Sequence, residues 1–124
     1  MGDIVKAECS NCKSVWELML GAGLSHGRKE NVINEFPSDE ASNLRELLDS
    51  NEDWMFSFKE AVCKTCHNCI ALPVIQGEIS KEILAYGICP VCCSKDVEPV
   101  LTEDMGCPQC GSGRIDLCET GHWD

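Results

Sequence analysis

Four cysteine pairs, each with two intervening residues, constrain the fold of this chain more than any other feature. The pairs are Cys9–Cys12, Cys63–Cys66, Cys89–Cys92 and Cys107–Cys110. Two cysteines at this spacing can curl into a tight turn that points both sulfurs at one ion, and two such turns complete a tetrahedron. The spacing therefore predicts two sites of four thiolates each, with one zinc ion in each site.

The cysteine content also indicates how the chain is stabilised. Eleven cysteines in 124 residues, with only 6% aromatic residues, indicate a thin core that needs metal or disulfide staples. The first residues carry charges throughout and lack the apolar core of a signal peptide, and no stretch has the roughly 18 apolar residues of a membrane span. We therefore expect a cytoplasmic protein with reduced thiols and no membrane association.

The later two pairs form the cleaner predicted site. Fourteen residues separate Cys92 from Cys107, which is the spacing of a compact zinc ribbon. Proline follows the first cysteine in "CPVC" and "CPQC", and Gly111 after Cys110 can take a positive φ. We expect Cys89, Cys92, Cys107 and Cys110 to hold one ion.

The earlier two pairs are separated by fifty residues, which a ribbon tolerates because loop-closure cost grows slowly with length. We expect Cys9, Cys12, Cys63 and Cys66 to hold the second ion. The competing arrangement crosses the pairs, so that Cys9 and Cys12 share an ion with a later pair.

The segment "CKTCHNC" is compatible with two other cofactors. Cys63, Cys66 and His67 spell a c-type haem attachment motif, which the expected cytoplasmic location disfavours. Cys69 extends the run toward an iron–sulfur pattern, but Pro73 stands where a ferredoxin-type run has its fourth cysteine. Iron–sulfur redox chemistry stays a minor alternative, and we interpret Cys69 as a small buried residue.

The remaining cysteines and histidines leave some ligand assignments open. Cys93 stands beside Cys92, so either could be the ligand. Cys118 and His122 could join Cys69 or Cys93 in a third site, although unengaged thiols are the simpler interpretation. His26 and His67 fall at no ligand spacing within a four-cysteine set, and we expect His26 to lie in a loop.

Hydrophobic patterning predicts one helix and several strands. Residues 39–49 carry an apolar stripe of Ala41, Leu44, Leu47 and Leu48, with Ser38 as the expected N-cap. The segments "SVWELML", "DWMFSFKEAV", "CIALPVI", "VEPVL" and "RIDLC" are candidate strands. The polar segment "LSHGRKENVINEF" is expected to be a loop or irregular, and "SKEILAYG" a helical turn or an extended connector.

The fold class predicted is a small, metal-stabilised, β-rich α+β protein. We expect two zinc ribbons, residues 1–77 with the inserted helix and residues 78–124, divided near Gly77. The segment "AECSNCKSVWELMLGAG", the helical insertion and the pair near residue 63 resemble the zinc-ribbon (rubredoxin-like) superfamily. The chain is similar to small bacterial or phage proteins that carry two such ribbons. This resemblance implies a fold and no activity.

The net charge of the chain limits the kinds of partner that it can bind. Twenty-one acidic and ten basic side chains give a net charge of −11, and two zinc–tetrathiolate centres would take it to about −15. Arg28–Lys29 is the longest basic run, so we do not expect the chain alone to bind nucleic acid. The acidic segment 30–60 is either a solvated face or a surface for a basic protein.

These features predict a protein without catalytic activity. Four-thiolate sites leave no open coordination position for water, and the chain has no "HExxH" motif. We expect a zinc-binding module that interacts with a protein partner through an acidic surface, and a basic partner would complement that surface. The alternatives are a nucleic-acid-associated ribbon within a larger complex, or an acidic inhibitor of a nucleic-acid-binding protein.

Overall fold

The computed structural model describes residues 2–51, 53–98 and 106–123, except for the side chains of Leu24 and Ser25. Seven strands form an antiparallel sheet in the order β5-β4-β3-β2-β1-β7, and β6 pairs with β3 outside this path. The strands are β1 Gly2–Cys9, β2 Val15–Gly21, β3 Trp54–Cys63, β4 Asn68–Gly77, β5 Ile83–Tyr86, β6 Val97–Glu98 and β7 Ile115–Trp123. The described strands therefore confirm the prediction of a small β-rich protein.

Two hairpins enclose the first two cysteine pairs. β1 pairs with β2 from Gly2↔Gly21 to Glu8↔Val15, so the first CxxC pair occupies the turn between them. β3 pairs with β4 over ten residue pairs that end at Cys63↔Asn68, and the second CxxC pair occupies that turn. The two hairpins are joined within the sheet by the single pair Gly21↔Phe58.

Each hairpin is completed by a strand that follows one of the later cysteine pairs. β7 begins five residues after Cys110 and pairs with β1, placing Ile115 opposite Cys9. β6 begins five residues after Cys92 and pairs with β3, placing Val97 opposite Cys63. The same local arrangement thus occurs twice. We call residues 54–77 and 89–98 the inner unit, and residues 2–21 and 106–123, which flank it in the chain, the outer unit.

The hairpin β3–β4 is buried on both faces. On one face Ala61, Cys63, Ile70 and Leu72 pack with Val74, Cys89 and Val97, all from the inner unit. On the other face the cross-strand pair Val62 and Cys69 packs against Ala7 and Leu18 of the outer unit. The inner unit therefore has a cluster of its own, whereas the cluster of the outer unit depends on the inner hairpin.

The segment between the hairpins forms a small helical layer. A turn of 3-10 helix, Ser38–Glu40, leads into helix α2, Ala41–Ser50, which together make a helix of 13 residues over the predicted span. Leu44 and Leu48 of α2 pack with Phe56 and Ile75. Ser38 was expected to cap this helix, but the helical turn starts at Ser38 itself, and no side-chain hydrogen bond caps either segment.

The polar segment before this helix is more ordered than its composition indicated. It contains a 3-10 turn, Leu24–Gly27, and a second helix, α1 Lys29–Ile33, whose Val32 and Ile33 are buried. His26, expected in a loop, is buried against the rings of Phe56 and Phe58, with centroids 4.6 and 5.6 Å away. Its Nδ1 accepts a hydrogen bond from the Gly23 N–H, and its Nε2 lies 3.2 Å from Glu35 Oε1.

The remaining expectations about secondary structure have mixed outcomes. The segments 15–20, 54–58 and 69–75 lie in strands as predicted. The ambiguous segment 80–87 is extended and contains β5. Only Val97 and Glu98 of the predicted strand 97–101 lie in the described residues, and both are in β6. The predicted division near Gly77 stays a prediction. No helix in the described ranges is long and apolar enough to cross a membrane.

Candidate metal centres

Each of the four cysteine pairs forms the same tight turn. The N–H of the first cysteine donates to a carbonyl beyond the turn, as in Cys9 to Ser14, Cys89 to Ser94 and Cys107 to Gly113. The residue after the second cysteine donates back to the first, as in His67 to Cys63 and Gly111 to Cys107. These bonds fix both sulfurs on one side of the turn, which is the local geometry that the CxxC spacing predicts.

The residue after the second cysteine has a left-handed conformation in every turn. The φ angles are 63° at Lys13, 58° at His67, 62° at Cys93 and 75° at Gly111. Glycine adopts this conformation at no steric cost, whereas a side chain costs about 1 kcal/mol. The angle also settles which of two neighbouring cysteines faces the cluster, because Cys93 occupies the position of Gly111 and Cys92 that of Cys110.

The turns combine in a different way from the primary prediction. Cys9 and Cys12 lie with Cys107 and Cys110, and Cys63 and Cys66 lie with Cys89 and Cys92. The predicted sequential pairing is therefore wrong, and the first pair joins a later one, as in the competing arrangement. The physical reason is strand pairing, since β7 returns to β1 and β6 to β3, each bringing its preceding turn with it.

The sulfur positions fit a tetrahedral ion. In the outer unit, Cys9 Sγ lies 3.6 Å from Cys110 Sγ, and Cys12 Sγ lies 3.7 Å from Cys107 Sγ. In the inner unit the corresponding distances are 3.5 Å for Cys63–Cys92 and 3.7 Å for Cys66–Cys89. An ion bound by four sulfurs at 2.3 Å gives edges of about 3.8 Å. Both groups can therefore hold a metal ion, and the eight cysteines predicted as ligands are those brought together.

Backbone amides surround the first sulfur of each pair. Cys9 Sγ accepts from the N–H groups of Asn11 and Cys12, both at 3.4 Å. Cys63 Sγ accepts from the Cys66 N–H at 3.5 Å, and Cys107 Sγ from the Gln109 N–H at 3.3 Å. Such bonds favour the thiolate over the thiol, and the thiolate is the form that binds metal.

The cysteines of the outer cluster differ in pKa. Backbone N–H groups of Ser112 and Gly113 lower the pKa of Cys110 to about 5. The hydroxyl and backbone of Ser14 also lower the pKa of Cys12. Burial raises the pKa of Cys107 to about 11 despite bonds from Cys110 and Gln109. The cluster thus contains Cys110, which ionises readily, beside Cys107, whose thiol loses its proton only when a cation stabilises the thiolate.

The inner cluster has the same mixture. Burial opposes ionisation of Cys63, but bonds from the backbones of Cys66 and Thr65, together with those from neighbouring thiols, lower its pKa to about 7. Burial raises the pKa of Cys89. A hydrogen bond from the Ser94 backbone favours the Cys92 thiolate, but burial and the neighbouring thiols together raise the pKa of Cys92 to about 12. Four adjacent thiols therefore cannot all ionise without a cation to balance them.

Side chains join the two turns within each cluster at matching positions. In the outer cluster Asn11 Nδ2 donates to Ser112 Oγ at 3.0 Å, and in the inner cluster the hydroxyls of Thr65 and Ser94 lie 2.7 Å apart. Asn11 and Thr65 both precede the second cysteine of their turn, and the serines both stand two residues after theirs. The two clusters are therefore built alike beyond their sulfur atoms.

Two side-chain contacts link the cysteine turns of the inner unit to the outer unit. Asn68 Nδ2 donates to Cys66 Sγ at 3.3 Å, while its Oδ1 accepts from the indole N–H of Trp16 in β2 at 3.1 Å. Gln109 Nε2 of the outer turn donates to the backbone oxygen of His67 in the inner turn. Sequence analysis missed both Asn68 and Gln109, because nothing in the local pattern shows that the two turns lie side by side.

The other candidate ligands lie outside these clusters. Cys69 is 4% exposed within the core between the units, and burial followed by the charges of Cys107 and Cys9 raises its pKa to about 12. Cys93 and Cys118 are exposed. The His67 side chain belongs to neither cysteine group. His122 lies on the surface, with Asp3 and Glu119 on opposite ring nitrogens, at 3.1 and 3.5 Å.

Comparison with known proteins adds no further assignment. No family model, curated protein or solved structure matches the chain. The class that the fold and the clusters define is thus a small β-rich protein with two four-cysteine groups suited to metal binding.

Proposed function

We propose that each four-cysteine group binds one zinc ion and that the two units are zinc ribbons, one nested within the other. The sulfur–sulfur distances of 3.5–3.7 Å support this proposal, since they match a closed tetrahedral thiolate site. Four thiolates with no histidine, carboxylate or open position suit structural zinc. The same geometry accepts iron, so the identity of the metal is part of the proposal.

Neither ion takes part in catalysis in this proposal. A catalytic zinc has three protein ligands and an open position for water or substrate. Here each ion has all four positions filled by sulfur, and two sulfurs of each group belong to buried residues: Cys9, Cys107, Cys63 and Cys89. The ions instead hold each hairpin to its third strand, which a chain with so small a core requires.

The function proposed for the scaffold is protein binding in the cytoplasm through an acidic surface. The net charge of −11 supports this role. Several of the basic side chains are already paired with acids, namely Lys6 with Glu8, Lys29 with Asp49, Arg45 with Glu30 and Lys64 with Glu98. Exposed acids without such a partner among the described residues include Glu17, Asp39, Glu46 and Asp116. A surface of this kind repels nucleic acid and attracts a basic protein.

Elemental analysis of the purified protein tests the first part of the proposal. We expect two zinc ions per chain and no acid-labile sulfide. Iron with sulfide would contradict zinc and favour the redox alternative, and less than one zinc per chain would remove the basis for the structural role.

Affinity capture with the zinc-loaded chain tests the second part. We expect basic proteins to be retained at low salt and released at moderate salt, because exposed charges are screened beyond about 10 Å at 0.1 M salt. Binding of the purified chain to a nucleic-acid column would contradict the proposal and favour the nucleic-acid alternative. Capture that depends on co-purifying nucleic acid, and is abolished by nuclease, would do the same.

A further inference from the structure

An apolar groove runs between β5 and the start of helix α2. Its volume is about 310 Å³. One wall is formed by Phe36, Pro37 and Leu44, and the other by the continuous segment 83–88. Glu40 and Lys95 are the charged residues that line it. Because β5 forms most of this second wall, the groove has the shape for an extended chain.

The strand on this wall has a free edge. β5 lies at the end of the sheet, with β4 as its sheet neighbour in the described part of the chain. Gly87 N–H donates to the Pro73 oxygen of β4, and Tyr86 pairs with Val74 in the adjoining register position. Since backbone groups alternate in an antiparallel ladder, the N–H and C=O of Tyr86 point away from β4. They can therefore pair with an added strand.

The two edges of the sheet differ in how they are protected. β7, at the opposite edge, has the charged residues Asp116 and Glu119 along its length. β5 has the sequence Ile-Leu-Ala-Tyr, with no charge, and its Tyr86 side chain is 48% exposed. Charges are a common protection of edge strands against pairing. The β5 edge lacks this protection, as expected of an edge that has a partner.

The charges around the groove indicate the chemistry of that partner. Glu40 lines the groove, Asp39 precedes it in the helical turn, and Glu82 immediately precedes β5. None of these carboxylates forms an ion pair with another described residue. Lys95 is the base in the lining and Lys81 stands beside Glu82, so the acids around the groove outnumber the bases by three to two. An occupant with lysine or arginine beside its apolar residues would complement this rim.

We infer that this groove binds an extended, basic and apolar segment of a partner protein, which adds as a strand along β5. Apolar side chains of the segment pack on Phe36 and Leu44, and its basic side chains lie beside Glu40 and Glu82. Because it specifies the binding surface, the inference rests on the proposed protein-binding function.

Titration with synthetic peptides, followed by the backbone amide NMR spectrum of the zinc-loaded protein, tests this inference. The probe is a nonapeptide of alternating lysine and valine. Its controls replace lysine by glutamate, or methylate alternate backbone nitrogens to prevent strand pairing. We expect shifts confined to residues 36–44 and 83–88 with the probe, and at least about tenfold weaker binding of both controls.

Charge-reversal variants keep the test independent of the peptide design. Glu40→Lys with Glu82→Lys should weaken the probe about tenfold, whereas Asp116→Lys on the opposite edge should leave it unchanged. Shifts elsewhere, equal binding of the methylated peptide, or no binding of the probe would overturn the inference. Self-association that shifts the β5 amides would assign the groove to a second copy and would overturn it too.

The outcomes separate this inference from the proposed function. If the wild-type chain captures basic proteins and the double variant captures them equally well, protein binding stands and this groove is not its site. If no protein is captured although the peptide binds as described, the groove stands and the proposed function fails.

Discussion

The inner and outer units have the same local geometry but depend differently on the rest of the chain. The inner cluster closes over the 22 residues 67–88, whereas the outer cluster closes over the 94 residues 13–106. On loop length alone the outer closure costs about 1.3 kcal/mol more. The inner cluster also packs on residues of its own unit, while the outer unit packs Ala7 and Leu18 on the inner hairpin. Cysteine turns with the same local geometry can therefore depend to different degrees on the rest of the chain.

Removing one cysteine, either from the inner or from the outer cluster, should give the largest loss of bound metal and of folded structure. Structural zinc contributes on the order of 10 kcal/mol, similar to the stability of a whole domain. We expect Cys89→Ser to lose both ions and most of the fold, because the outer unit needs the inner hairpin. Cys107→Ser should lose only the outer ion. Native mass spectrometry and circular dichroism measure both effects. Cys118→Ser, at an exposed position outside both clusters, serves as the control and should retain both ions. Retention of the outer ion in Cys89→Ser would contradict the dependence of the outer unit on the inner hairpin.

Alkylation of Cys69 should report whether the two units are in contact. In the zinc-loaded protein we expect N-ethylmaleimide to label the exposed Cys93 and Cys118 and to spare Cys69, whose pKa is about 12 and whose side chain is buried. In Cys107→Ser the outer unit separates, and labelling of Cys69 should accelerate about tenfold or more as burial is lost. Peptide mapping by mass spectrometry locates the label. Unchanged protection of Cys69 would mean that the outer unit stays docked without its ion.

Replacing the asparagine of each cluster should give an intermediate effect. Asn68→Ala removes the bond to Cys66 and leaves the half-buried Trp16 N–H without its acceptor, which costs about 1–3 kcal/mol. Asn11→Ala, at an exposed position whose amide lies 3.7 Å from Cys110 Sγ, should cost less. Urea unfolding with excess zinc measures both. Trp16→Phe removes the indole bond but keeps the bond to the Cys66 sulfur, and so separates the two contributions. Equal losses of stability in the two asparagine variants would contradict the larger effect expected for Asn68→Ala.

Glycine at the left-handed positions should give the smallest effect, with a stabilising sign. His67→Gly in the inner unit and Lys13→Gly in the outer unit should each gain up to about 1 kcal/mol by relieving the steric cost of φ near 60°. Gly111→Ala should lose a similar amount, although a Cβ there meets no atom within 4 Å. The midpoint of urea unfolding is the measurement. A loss of stability in both glycine variants would show that their side chains matter more than their backbone angles.

Local features of the sequence predicted much of the secondary structure. The alternation in residues 15–20 and 54–58 and the stripe in residues 39–49 correspond to β2, β3 and the 13-residue helix. These signals succeed because period-2 and period-3.6 patterns reflect one buried face. Helix α1 was not predicted, because its segment is mostly polar and only Val32 and Ile33 of the helix are buried. The burial of His26 was not predicted, because it depends on the rings of Phe56 and Phe58, which are remote in sequence.

The sequence by itself determined the four CxxC turns, since two-residue spacing and turn chemistry act over five or six residues. It left open which turns share an ion. The tertiary structure decided that question, because β6 and β7 return to the first strands of two different hairpins and bring Cys92 and Cys110 with them. Every pairing of four equivalent turns satisfies the local chemistry equally well, and only the register of distant strands distinguishes between them.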